Sequence, residues 1–142
     1  MAAKRPRKKL YTVEEANATL PLVRSILKDI TSLAQDLKQR HQKIVAMQSS
    51  GDLSPAHQDE VDALVVEFDK DQDRLEEYVN ELSQLGIELK DLFTGLVDYR
   101  CMMDGREVYL CWRLGEAEVA HWHELDAGFA GRKKLEPSLV KS

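Results

Sequence analysis

"GEAEVAHWHELDAG", residues 115–128, carries two histidines one residue apart, His121 and His123, with Glu124 close behind. Imidazole nitrogens bind borderline cations and carry protons near neutral pH. Two of them at this spacing share a face only on a strand, where side chains alternate. What else they meet is then a question of register. Upstream, "GLVDYRCMMDGREVYLCWRLG" alternates with period two on both sides of Asp104-Gly105, a dipeptide suited to a two-residue hairpin turn. That turn sets Met103 opposite Arg106, Cys101 opposite Val108, Tyr99 opposite Leu110 and Val97 opposite Trp112, and these positions define the core side. The other side carries Asp98 across from Cys111, Arg100 across from Tyr109 and Leu96 across from Arg113.

The third strand is expected at "EVAHWHE", after a turn over residues 115–117. This places Trp122 against Leu110 in the core, His121 beside Cys111, and His123 beside Tyr109. A turn one residue shorter would expose Trp122 and bury both imidazoles among apolar groups. Two rows follow, His121–Cys111–Asp98 and His123–Tyr109–Arg100, with opposed Cβ atoms about 5 Å apart. His121, His123, Cys111 and Asp98 are therefore the candidate metal ligands. Their nitrogen, sulfur and oxygen donors suit Zn2+, which takes such ligands at about 2.0–2.3 Å. Three protein ligands would leave a position for a water that the ion could activate. HxH is a much weaker motif than a helical HExxH, and two other readings compete. Arg100 and Arg113, with Tyr109 and the histidines, could hold a small anion or carboxylate. Alternatively the sheet face is inert and the helices are a non-catalytic interaction surface. A Cys111 nucleophile activated by His121 would find no oxyanion hole between neighbouring strands. The segment 126–137 contains neither GxGxxG nor GxxxxGK; it is expected to turn the chain back, with Phe129 packed and Arg132 near the polar face.

The elements that position these residues are helical. Thr12 and Glu15 have capping-box spacing, so a helix should start near Val13 and stop short before Pro21. A longer helix is expected from Pro21, with Val23, Ile26, Ile30, Leu33, Leu37, Ile44 and Met47 in a heptad seam interrupted by Arg40. After "SSGDLSP", Ser54 and Pro55 should open a third helix along Val61, Leu64, Phe68, Leu75, Tyr78, Leu82 and Leu85, interrupted by Asp71 and closed by Gly86. Counting outward from the loop sets Arg40 opposite Leu64 and Asp71 opposite Leu33, so no pairing of the two polar exceptions is expected. Two helices cannot cover both faces of their seams, and a homodimer forming a four-helix bundle is expected.

The chain has 142 residues, 43% hydrophobic and 32% charged, which suits one domain with a real core. Residues 1–11 read as a basic disordered arm and 12–142 as a single domain, helical over 12–86 with a β-meander and C-terminal loop over 87–142. Net charge is −5, but "KRPRKK" at 4–9 holds five positive charges, leaving the rest near −10. An acidic body without aromatics beside the arm argues against nucleic acid as a partner. No apolar run reaches the roughly 20 residues of a membrane helix, and two cysteines without framework spacing suggest a cytoplasmic protein with reduced thiols.

On "YTVEEANATLPLVR" and "GLVDYR…GREVYLCWRLGEAEVAHWHELDAGFAGR" the chain resembles the uncharacterised bacterial family named domain of unknown function 2203. The likeness spans nearly the whole chain. It implies a small bacterial cytosolic protein and directs attention to the sheet and the loop that follows it. The fold expected is α+β: a short helix, a long antiparallel helical hairpin and a three-stranded antiparallel β-meander.

Overall fold

The computed structural model describes residues 9–136. Two long helices are followed by a five-stranded antiparallel sheet, an α+β arrangement. Helix α1 (Val13–Gln48) opens on the expected capping box: the Thr12 hydroxyl accepts from the Glu15 N–H at 3.0 Å, and Glu15 accepts from the Thr12 N–H at 2.9 Å. It does not break at Pro21. One helix of 36 residues replaces the expected short and long pair. An interior proline costs a helix about 3 kcal/mol. Here it faces solvent, while Leu20, Val23 and Leu27 around it are buried in the core, each contributing roughly 1.5–3 kcal/mol. Helix α2 (Pro55–Gln84) begins as expected, with the Ser54 hydroxyl accepting from the His57 N–H and Pro55 in the first turn. Gly86, at φ +79°, follows its end.

The helices form the hairpin, with one correction. Arg40 and Asp71 do pair, at 2.7 Å. Side chains on a helix lean toward its N-terminus. Arg40 therefore leans away from the loop, far enough to meet Asp36 at 2.8 Å, while Asp71 leans toward the loop. Counting Cα positions misses both displacements.

Five strands stand where three were expected. Strands β1 (Ile87–Asp91), β2 (Leu96–Met103), β3 (Arg106–Arg113), β4 (His121–His123) and β5 (Lys133–Lys134) lie side by side in chain order. β1 is formed by a short alternation, Ile87 and Leu89, that follows directly on Gly86. β5 is two residues long and carries no local signal; it forms because the chain returns along β4, and the Leu135 N–H donates to the Ala120 carbonyl at 2.8 Å. β4 is shorter than the expected strand because Val119 is drawn toward α1. Its N–H donates to the Asn17 side-chain oxygen at 2.7 Å, and its side chain is buried. The register of the central hairpin is the one the Asp104-Gly105 turn dictates, from Met103↔Arg106 to Leu96↔Arg113.

The core lies between α1, the end of α2 and one face of the sheet, and contains Val97, Tyr99, Leu110, Trp112, Leu27 and Ile30. Tyr11, assigned from sequence to the arm, belongs to it. Its ring meets Tyr99 edge-on at 5.1 Å, and its hydroxyl donates to the Leu85 carbonyl at 2.6 Å. The rest of the arm up to Lys8 lies outside the described residues. Among the described residues, no helix is long and apolar enough to cross a membrane.

Candidate metal centre

Three strands each project one donor from the sheet face opposite the core. β2 supplies Asp98, β3 supplies Cys111 and β4 supplies His123, and one ligand atom from each lies within 4.8 Å of the other two. The backbone register is the expected one: Asp98 faces Cys111, Cys111 faces His121, and Tyr109 faces His123. The side chains, however, assemble along a diagonal. His123 reaches past Tyr109, its Nε2 3.0 Å from the Asp98 Oδ2. Cys111 is the diagonal neighbour of His123 on the adjacent strand, within reach of a long side chain, and the contact to Asp98 spans β3 to reach β2.

His121 does not join the group. Its Nδ1 sits 3.9 Å from the Glu116 carboxylate and has no hydrogen-bond partner among the described residues. Glu116 is held by Arg132 through two contacts, at 3.0 and 2.6 Å. Burial first, and then Arg132, lower the His121 pKa, so the ring is neutral at pH 7. The row His121–Cys111–Asp98 thus holds in backbone register, while the donors that converge among the described residues are Asp98, Cys111 and His123.

The face itself is covered, where sequence alternation suggested an open polar surface. Asp98 is 3% exposed, Cys111 1% and His123 2%. After β4 the chain turns over the face through residues 124–132, including a short 3-10 turn (Phe129–Gly131), and is fastened by Arg132–Glu116 and Arg106–Glu124. The segment, a lid over the face, turns the chain back with Arg132 near the polar face, as the sequence predicts, its Nη1 3.9 Å from the Cys111 Sγ; Phe129, expected to be packed, is 38% exposed, with the Arg113 and Arg132 guanidiniums against its ring.

Burial decides the electrostatics. Desolvation raises the Asp98 carboxyl above its ordinary range, although His123 pulls it down. One of its oxygens, Oδ1, has no hydrogen-bond partner among the described residues. Burial, and secondarily Asp98, push the Cys111 thiol up to about 11, against the weaker pull of Arg132, whose Nη1 is 3.9 Å from Sγ. Such a thiol stays protonated at pH 7 and is a poor nucleophile unless a cation displaces its proton. His123 is oriented from behind: its Nδ1 is 2.7 Å from the Glu124 carbonyl, which can only accept, so Nδ1 carries the hydrogen. Nε2 is the nitrogen turned to Asp98.

The residues of the anion reading go to separate places. Arg100 pairs with Glu107 at 2.9 Å and Glu88 at 3.4 Å, with its guanidinium over the Tyr109 ring. Arg113 stacks on Phe129, ring centroid 5.1 Å away, at the opposite end of the ladder. Arg100 and Tyr109 meet; Arg113 does not join them. Sequence reasoning missed Glu116 and Lys90. Glu116 lies in a turn, where parity assigns no face. Lys90 lies at the β1 irregularity between Leu89 and Asp91. Beside the triad is a cavity of about 300 Å³, bounded by Asp98, His123 and Tyr109 on the sheet and by Leu125 and Phe129 on the lid.

The chain belongs to the family described as Uncharacterized conserved protein (DUF2203), whose model matches residues 9–135 and so includes every residue of this centre. No curated protein and no solved structure matches it.

Proposed function

We propose that the chain binds a divalent, zinc-like cation through Asp98, Cys111 and His123. The observation that carries this reading is the convergence of three different donors at one buried point, with the Asp98 Oδ1 unpartnered among the described residues. A buried polar atom without a partner costs about 1–3 kcal/mol, and a bound ion relieves it. Tetrahedral zinc with bonds near 2.0 Å separates nitrogen and oxygen ligands by about 3.3 Å. The 3.0 Å between Nε2 and Oδ2 is close to that edge. The Nδ1–H to carbonyl bond is the outer support that metal-bound histidines characteristically have, leaving the Nε2 lone pair for the ion. Thiolate, imidazole and carboxylate together favour zinc over magnesium or calcium. Three protein ligands leave the fourth position toward the cavity.

A second reading is favoured by the same 3.0 Å contact: a shared proton binds His123 to Asp98, and the triad is a buried polar clasp. Elemental analysis of protein purified without a histidine tag separates the two. The metal reading expects about one zinc per chain, lost in Cys111→Ser. Protein that is metal-free and takes up no zinc in competition with a chromophoric chelator overturns it.

For the helices, we propose association with a second copy. Among the described residues, α2 buries only Val61 and Leu82, while Val66 is 52% exposed, and α1 exposes Leu22 and Val45. Covering that apolar surface is what a four-helix bundle would accomplish.

A further inference from the structure

We infer that the cavity beside the triad receives a small molecule with a carboxylate head and a short aliphatic tail, the carboxylate oxygen taking the cation's fourth position. The inference rests on the metal reading above. The cavity's size, about 300 Å³, is at the small end of ligand pockets. Its wall includes two of the three ligands, Asp98 and His123, so the fourth position and the cavity are one space. The chemistry of the remaining wall is divided. Leu96, Leu125 and Phe129 offer apolar contact to a tail. Among the described residues that line it, Lys90 is the only Lys or Arg, and it is held in place: Nζ is 3.1 Å from Glu88 and 5.5 Å from the centre of the Tyr109 ring.

Charge selects the head group. A dication balanced by the Asp98 carboxylate and the Cys111 thiolate is neutral, so an incoming anion needs a further positive charge. Lys90 offers it locally, because an ammonium keeps donors beyond its contact to Glu88, while Arg100, the other partner of Glu88, is itself paired with Glu107. Asp126, also on the wall, is exposed to solvent, where its repulsion is screened. A carboxylate can contact the ion and Lys90 together. An alcohol of the same size gains only the apolar contacts.

Cobalt(II) in place of zinc makes this visible, because a tetrahedral cobalt–thiolate centre has intense bands that respond to the fourth ligand. Titration of the cobalt-loaded protein with isovalerate is expected to shift those bands saturably, while isoamyl alcohol leaves them unchanged. Lys90→Gln should weaken isovalerate binding roughly tenfold. Leu96→Trp, which fills the cavity, should abolish it without altering the bands seen before isovalerate is added. Cobalt bands that form but ignore isovalerate, or respond equally to the alcohol, overturn the carboxylate inference alone. Thiolate–cobalt bands that never form overturn the metal reading, and the inference with it.

Discussion

Asp98, Cys111 and His123 are each unremarkable residues whose environment makes them a set. Burial raises the acid and the thiol, and the Glu124 carbonyl fixes the imidazole so that Nε2 faces them. The contrast with His121 supplies a sharp test. His121→Ala should retain zinc at near wild-type affinity, because its ring is turned to Glu116. His123→Ala should lose at least about tenfold in affinity, the scale of removing one ligand or its support. Chelator competition on both variants checks this, and equal losses would contradict the diagonal arrangement. Sequence made the sharing of a face legible, because the Asp104-Gly105 turn fixes the parity of β2 against β3, and burying Trp122 rather than both imidazoles fixes that of β4. It did not make the diagonal legible. Alternation says which face a side chain takes, and says nothing of how far a long imidazole leans along it or of a Glu116–Arg132 pair that turns His121 aside.

At the scale of elements, the helices were readable where caps are chemical and misread where tertiary burial overrides a local rule. Thr12, Ser54 and Gly86 do what their types predict. Pro21 was read as a boundary and is an interior residue. Pro21→Ala should therefore stabilise the protein by about 1–3 kcal/mol in chemical denaturation, restoring a helical hydrogen bond without moving a buried side chain. A loss of stability would mean that the local bend is required by the sheet. The Arg40–Asp71 pair gives the hairpin a pH dependence. Arg40 lowers the Asp71 pKa below its unfolded value. The pair's contribution is accordingly complete above the ordinary carboxylate range and disappears as pH falls through the depressed folded value. Asp71→Asn should lower the thermal midpoint at pH 7, and the difference from wild type should close in acid. A constant difference across that range would show that the charge plays no part. The third strand was legible in place and register but not in length, and β5 and the fastening of the 124–132 segment escaped sequence reading, because distant partners set them, Asn17 for Val119 and Glu116 for Arg132, which leave no local period.

For the molecule as a whole, the sheet separates an apolar core from a buried polar centre. The lid over that centre is tied to the sheet by two ion pairs and by the His123–Glu124 contact. A cation that binds only the folded arrangement stabilises it by mass action, about 4 kcal/mol at a thousand times its Kd. Stripping the metal should lower Tm and speed proteolysis within residues 124–132 first. Uniform sensitivity along the chain would contradict the view that the ion fastens the lid. The long helices carry a separate expectation: sedimentation at micromolar concentration should show a dimer, independent of metal content. A well-folded monomer would leave α2's exposed apolar residues to another partner.

The most direct measurement is X-ray absorption at the zinc edge of protein purified without a histidine tag. One sulfur neighbour near 2.3 Å and two or three nitrogen or oxygen neighbours near 2.0 Å are expected. Zinc surrounded by nitrogen and oxygen alone, or by none of this chain's atoms, would contradict a centre built on Asp98, Cys111 and His123.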